Sequence, residues 1–227
     1  MRSLASLLFV GGLGFLLLVI GGTLPLGQPP MLVGQDIQQA AADQVGTANF
    51  VTAVVLAFRG LDTLGELAIL FAAATAGGLV LGNTGSRARP AAGFILRSGC
   101  DLLFPLLLVV GLYIVMHGHL TPGGGFQGGV ILAAAFFLPL LARPQESLDH
   151  RWMSLIEGLS GAAFIGLGIL ALYQGQAFLT PLFDRGVVGE LVSGGSLPLL
   201  YLAVGLKVGA ELASLLSRLA HDDEVTS

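Results

Sequence analysis

Three groups of ionisable residues stand where the chain is otherwise apolar. In "RGLDTLGE" (59–66), Arg59, Asp62 and Glu66 are spaced by three and four residues, so on a helix they share one face. Two carboxylates so placed can hold a cation or a proton, and the arginine can keep one ionised and tune the other. Arg59 and Asp62 also suit a plain salt-bridged helix start at the outer interface, where long side chains reach toward water. Glu66 lies deeper, ahead of the run "LAILFAAATAGGLVLG". A carboxylate there costs about 2.5–3.5 kcal/mol or more to insert, so a role is expected of it. In "GLKVGAEL" (205–212), Lys207 and Glu211 are four apart and face the same way. Hidden between helices they form either a structural ion pair or a relay whose lysine titrates once burial lowers its pKa. His117 and His119 close an apolar run and, two apart, do not share a helix face. Zinc needs three or four convergent ligands, so the pair suits proton loading, gating or helix-end capping better than a metal site. Asp101 and Glu157 fall near span ends and are expected at the interface.

Neither catalytic residues nor a metal or cofactor site are expected. No nucleophile has a paired base, and the single cysteine, Cys100, builds neither a disulfide framework nor a cluster. "GGGFQGG" is not a phosphate loop, because no Gly-Lys-Ser/Thr follows. A net charge of −4 with no basic stretch argues against nucleic acid.

The elements that must position these groups are membrane helices. Of the 227 residues 54% are hydrophobic and 11% charged, against about 25% charged in soluble domains. The expected fold is all-α, a polytopic membrane bundle of about six transmembrane helices plus one short interfacial or re-entrant helix. Six segments have the length to span: 4–24, 62–82, 98–117, 126–142, 153–174 and 196–217. The first is longer than a signal-peptide core and is expected to be retained. Phe50 to Phe58 is too short to span, and is acceptable at membrane depth only if protein covers its backbone ends. With the N-terminus inside, Arg2, Arg87, Arg89, Arg97, Arg143, Arg151 and Arg218 are cytoplasmic and only Arg59 and Arg185 lie outside. That bias predicts a multi-pass protein of the cell membrane with both termini cytoplasmic.

The segment "GNTGSRARPAAG" (82–93) divides the chain. The expected organisation is a two-span unit over 1–85, a linker over 86–94, a four-span domain over 95–220 and a tail over 221–227. Small residues recur every fourth position at Gly158, Ala162 and Gly166, at Gly125, Gly129 and Ala133, and at Ala73 and Gly77. Such stripes let helices approach closely, inside the bundle or against other subunits. In "HGHLTPGGGFQGG" (117–129), Pro122 ends a polar turn and Gly123, Gly124 and Gly125 allow a tight reversal. Gly128 and Gly129 then keep the next helix slim, giving a close helix hairpin with two imidazoles at its mouth.

Those residues carry a resemblance. "GHLTPGGGFQGGVILA" resembles the G-H-x-x-P-G-G-G-F-x-G-G signature of the B subunit of Mrp-type (Mnh) multisubunit sodium/proton antiporters, a domain also found in membrane-bound energy-converting hydrogenases. "LPLLYLAVGLKVGAEL" is similar to that domain's last helix, and "NFVTAVVLAFRGLDTLGELAILFAAATAG" to the end of the Mrp A subunit or the small hydrogenase E subunit. The resemblance covers 45–82 and 95–217. It implies a non-catalytic membrane subunit of a sodium- and proton-translocating complex, partnered by other antiporter-like subunits. In the hydrogenase-like case a peripheral iron–sulfur oxidoreductase arm drives the membrane part. Asp62, Glu66 and the histidines fall where the family places ion-path or gating candidates. The front unit stands here without the many spans of the large Mrp subunit, which favours redox-driven relatives or a rearranged antiporter. A structural scaffold, its charges merely paired, is the alternative.

Overall fold

The computed structural model describes residues 2–23, 32–81, 92–143 and 148–221, and every regular element among them is a helix. The chain forms two compact units, Met1–Asp36 and Ile37–Ser227. The first holds α1 (Arg2–Thr23), apolar all round, as a helix in lipid is. Helix α2 (Leu32–Ala40) crosses the boundary. The second unit continues with a π-helical turn, Ala41–Val45, then α3 (Phe50–Thr52) running into π-helical Ala53–Phe58. It ends with α4 (Gly60–Leu81), α5 (Phe94–Met116), α6 (Gly125–Ala142), α7 (His150–Tyr173) and α8 (Leu197–His221).

All six expected spans are helical. Five of them, α4 to α8, are long and apolar enough to cross a membrane; in α1 the described apolar stretch is Leu7–Thr23. The expected short helix is one arm of a broken pair: Gly34–Val45 and Phe50–Phe58 bend by 89°. Most of the expected linker and tail, 86–91 and 222–227, lies outside the described residues, as do 82–85 at the end of the two-span unit and Arg87 and Arg89.

Helix α8 is the hub. It packs against α4, α6 and α7, and α6 also packs on α5. Over half of the spanning window of α8 is buried (56%), against 11% for α4. The core therefore runs along α8, through Leu197, Leu200, Tyr201, Val204 and Val208.

The glycine-rich stretch makes the α5–α6 hairpin. Gly123 (φ 154°) and Gly124 (φ 134°) take backbone conformations that disfavour side chains. A Cβ on Gly125 would lie 2.6 Å from Cβ of Val204 and 2.8 Å from the Tyr201 carbonyl; one on Gly129 would lie 2.8 Å from Cβ of Val208. On the opposite side, a Cβ on Gly128 would meet Val115 and lie 2.7 Å from the Gly111 carbonyl. Three glycines thus hold α6 against two helices at once.

The stripe on α7 does not pack inside the bundle. Gly158 and Gly166 face open space, with nothing within 4 Å of where a Cβ would stand. The face of α7 turned inward carries Ser160, Phe164, Gly168 and Ala171 instead. Four-residue spacing identifies a face but not what it meets, because both faces of α7 carry small residues at that spacing.

Candidate functional site

Arg59 lies outside α4, at the junction where the π-helical turn ends: its N–H donates to the Val54 carbonyl at 2.8 Å. It nevertheless pairs with Asp62, and both side chains are exposed. Glu66 lies about 9 Å into α4, from a rise of about 1.5 Å per residue. It has no hydrogen-bond or ion-pair partner among the described residues. It stands at the rim of a cavity of about 250 Å³ bounded by 51–56, the Gly123–Gly125 turn and α8.

The two histidines part company. His117 is half-buried and stacks on Tyr113 at 4.0 Å between ring centroids. Its Nδ1 lies 3.0 Å from the Tyr113 carbonyl, so it caps the end of α5. His119 is fully buried, not at an open mouth. The segment 174–196 covers it: Nε2–H donates to the Glu190 carbonyl at 3.3 Å. Its ring lies parallel to Tyr201, and Nδ1 has no partner among the described residues.

The turn beneath is clamped by side chains that sequence reasoning passed over. Thr47 donates to the His119 carbonyl at 2.9 Å, Asn49 to the carbonyls of Gly118 and Thr121 at 2.9 Å each, and Thr52 to Gly118 at 2.7 Å. These bonds satisfy the open backbone of an irregular, buried turn.

Burial holds the His119 imidazole below its ordinary value of 6.5, against the opposing pull of the Glu190 and Leu191 carbonyls. The unfolded chain therefore takes up this proton at higher pH than the folded one. The resulting stability is full above the unfolded value and lost as pH falls through the folded one. Thermal unfolding followed from about pH 8 to about pH 5 is expected to show this loss, and His119→Gln to lack that component. An identical acid response in both proteins would refute it.

Lys207 and Glu211 pair at 3.0 Å with Glu211 only 3% exposed. Lys207 Nζ also lies 3.6 Å from Glu157 of α7 and 5.1 Å from the centre of the Phe71 ring of α4. Glu157, expected at the interface, therefore belongs to a junction of three helices around one lysine. The second carboxylate oxygen of Glu211, Oε1, is buried without a partner among the described residues. Glu157 and Glu211 line a further cavity of about 200 Å³ with Ser214 and Arg218. Asp101 pairs with Arg143 at 2.5 Å, tying α5 to the end of α6.

Residues 95–214 match the domain related to the MnhB subunit of Na+/H+ antiporters. The chain belongs to this family. Among relatives, an uncharacterized protein of Methanocaldococcus jannaschii is 29% identical over 225 residues, covering 86% of each chain. A Rhizobium meliloti protein, named as the probable A/B subunit of a K(+)/H(+) antiporter, is 28% identical over 219 residues, covering 79% of this chain and 21% of its own length. A solved chain from the membrane-bound sulfane sulfur reductase, an archaeal respiratory membrane complex, is 35% identical with a TM-score of 0.81, covering 98% of this chain and 99% of that one. In this MnhB-family chain the histidines, Glu157, Lys207 and Glu211 lie inside the matched domain, and Arg59, Asp62 and Glu66 precede it. The MnhB-related domain is not self-contained in space, because α4 packs on its last helix and offers Phe71 to Lys207. No cluster of three or more metal-ligating side chains occurs among the described residues.

Proposed function

We propose that this chain supplies intramembrane ionisable groups to the ion path of a sodium- and proton-translocating complex. The observation that carries this is Glu66: a carboxylate with no partner in its own described chain, on a helix that also exposes Leu61, Ile69 and Val80. Lipid does not accept such a group, so it faces a neighbouring subunit, and in this proposal a transported ion or proton as well. Lys207, shared by Glu157 and Glu211, supplies a second ionisable station deeper in the bundle.

In this proposal residues 1–85 form the unit akin to the small hydrogenase E subunit or the end of the large Mrp subunit, 86–94 a linker, 95–220 the B-like domain and 221–227 a tail. The length of the alignment with the Rhizobium meliloti protein, which carries both letters in its name, supports one chain holding both parts. The partners are other antiporter-like subunits. Likeness over nearly the whole chain to one chain of a respiratory membrane complex supports a redox partner reached through them, which this proposal takes to be a peripheral iron–sulfur oxidoreductase arm. The protein lies in the cell membrane with both termini cytoplasmic.

Glu66→Gln tests the proposal. Gln keeps the size and much of the hydrogen bonding but does not ionise. Vesicles holding the whole complex, matched for subunit content, are expected to lose most sodium/proton exchange, while Asp62→Asn, nearer water, loses less. Parallel assays with potassium identify the ion. Full exchange in Glu66→Gln would leave a scaffold, the second reading, favoured by the glycine contacts of α6.

A further inference from the structure

The cavity beside Glu66 contains a group that the ion path as described does not use. Tyr201 of α8 lines it and is 1% exposed. Its hydroxyl faces the Thr52 side chain and makes at most a weak contact with it, with no hydrogen bond of normal geometry among the described residues. Thr52 gives its own hydrogen to the Gly118 carbonyl and Thr63 gives its to Val55, at 2.5 Å, so both hydroxyl oxygens remain acceptors toward the cavity. Gln127 and Glu66 complete the polar lining.

A buried hydroxyl left unbonded costs about 1–3 kcal/mol. The cavity, of about 250 Å³, is walled mainly by apolar surface but carries the polar groups of Thr52, Thr63, Glu66, Gln127 and Tyr201; it has room for several waters at about 30 Å³ each, and water is retained where two to four polar partners surround it. One wall is the π-helical turn Ala53–Phe58, an irregularity frequent at functional sites.

We propose that this cavity is filled with water and serves Glu66, with Tyr201 positioning the water that links the carboxylate to the protein interior. The inference rests on Glu66 belonging to the ion path. A proton passing between Glu66 and the first water is matched by another leaving along the file. The Tyr201 hydroxyl donates one hydrogen bond and accepts another, and stays neutral throughout.

The test uses the intact complex. Radiolytic hydroxyl-radical labelling, which marks side chains touching bound water, is read by mass spectrometry at Tyr201 and at Phe164, a fully buried aromatic away from the cavity. Tyr201 is expected to label several times faster than Phe164. Labelling as slow as Phe164 means a dry cavity and overturns the proposal, whatever Glu66→Gln does. Tyr201→Phe removes one oxygen and keeps the ring. With complex content and melting temperature matched, sodium/proton exchange is expected to fall severalfold. Unchanged exchange, or a higher melting temperature with full exchange, also overturns it, because a hydroxyl in a dry void only destabilises. Loss of exchange in Tyr201→Phe alongside full exchange in Glu66→Gln overturns the link to Glu66 alone.

Discussion

Lys207→Met is expected to lower the stability of the assembled complex by about 3–5 kcal/mol, the usual effect of stripping one partner from a buried ion pair. The reason is Glu211. It is 3% exposed, one of its oxygens has no partner among the described residues, and Lys207 at 3.0 Å is the cation beside the other. Without that cation the carboxylate must stay charged in an apolar junction or take up a proton. The double variant Lys207→Met, Glu211→Gln removes both charges and is expected to recover most of the stability, since apolar replacement of a buried pair is often neutral. Glu157, more exposed and beside the cavity shared with Arg218, tolerates the loss better. Melting of the purified complex checks the stability; ion exchange in vesicles checks the role. Assembly restored without exchange supports an ionisable station on the ion path. Assembly and exchange restored together would reduce the cluster to a structural pair.

Gly128→Leu is expected to abolish assembly, and Gly125→Leu or Gly129→Leu to reduce it strongly. At each position the first added atom meets backbone of a neighbouring helix: the Gly111 carbonyl at 2.7 Å, the Tyr201 carbonyl at 2.8 Å and the Gly205 carbonyl at 2.9 Å. Helix backbone does not step aside as a flexible side chain does. Overpacking of ordinary cores costs about 1–3 kcal/mol, and close helix contacts in lipid depend on small residues. Gly158→Leu is the control, because nothing within 4 Å opposes it in this chain. Subunit content measured by quantitative blotting of membranes separates the positions. If Gly128→Leu assembles normally, α6 is not held as described. If Gly158→Leu folds but drops out of the complex, the outer stripe of α7 docks another subunit.

The spanning helices α4 to α8 and their approximate ends were legible in the sequence, because apolar length decides which segments suit a bilayer, whereas the helical arm Gly34–Val45 was not. So was the pairing of Lys207 with Glu211, since residues four apart on one helix meet whatever surrounds them. The slim hairpin at Gly125, Gly128 and Gly129 was legible too, because few other residues permit such close backbones. Relations between helices were not. A membrane helix is apolar on all sides, so its pattern does not say which face turns inward. Packing sets that rotation. It brought Glu157 and Phe71 to Lys207, although both are far from it in sequence. It turned Gly158 and Gly166 outward. It also put His119 beneath segment 174–196 and against Tyr201, while His117, two residues earlier, stayed on its own helix end. The cavity joining Tyr201 to Glu66 likewise exists only because the Phe50–Phe58 segment folds back and binds the 118–121 turn through Asn49 and Thr52. Carbonyls in an irregular turn need donors, and which distant side chains supply them follows from how the chain closes on itself.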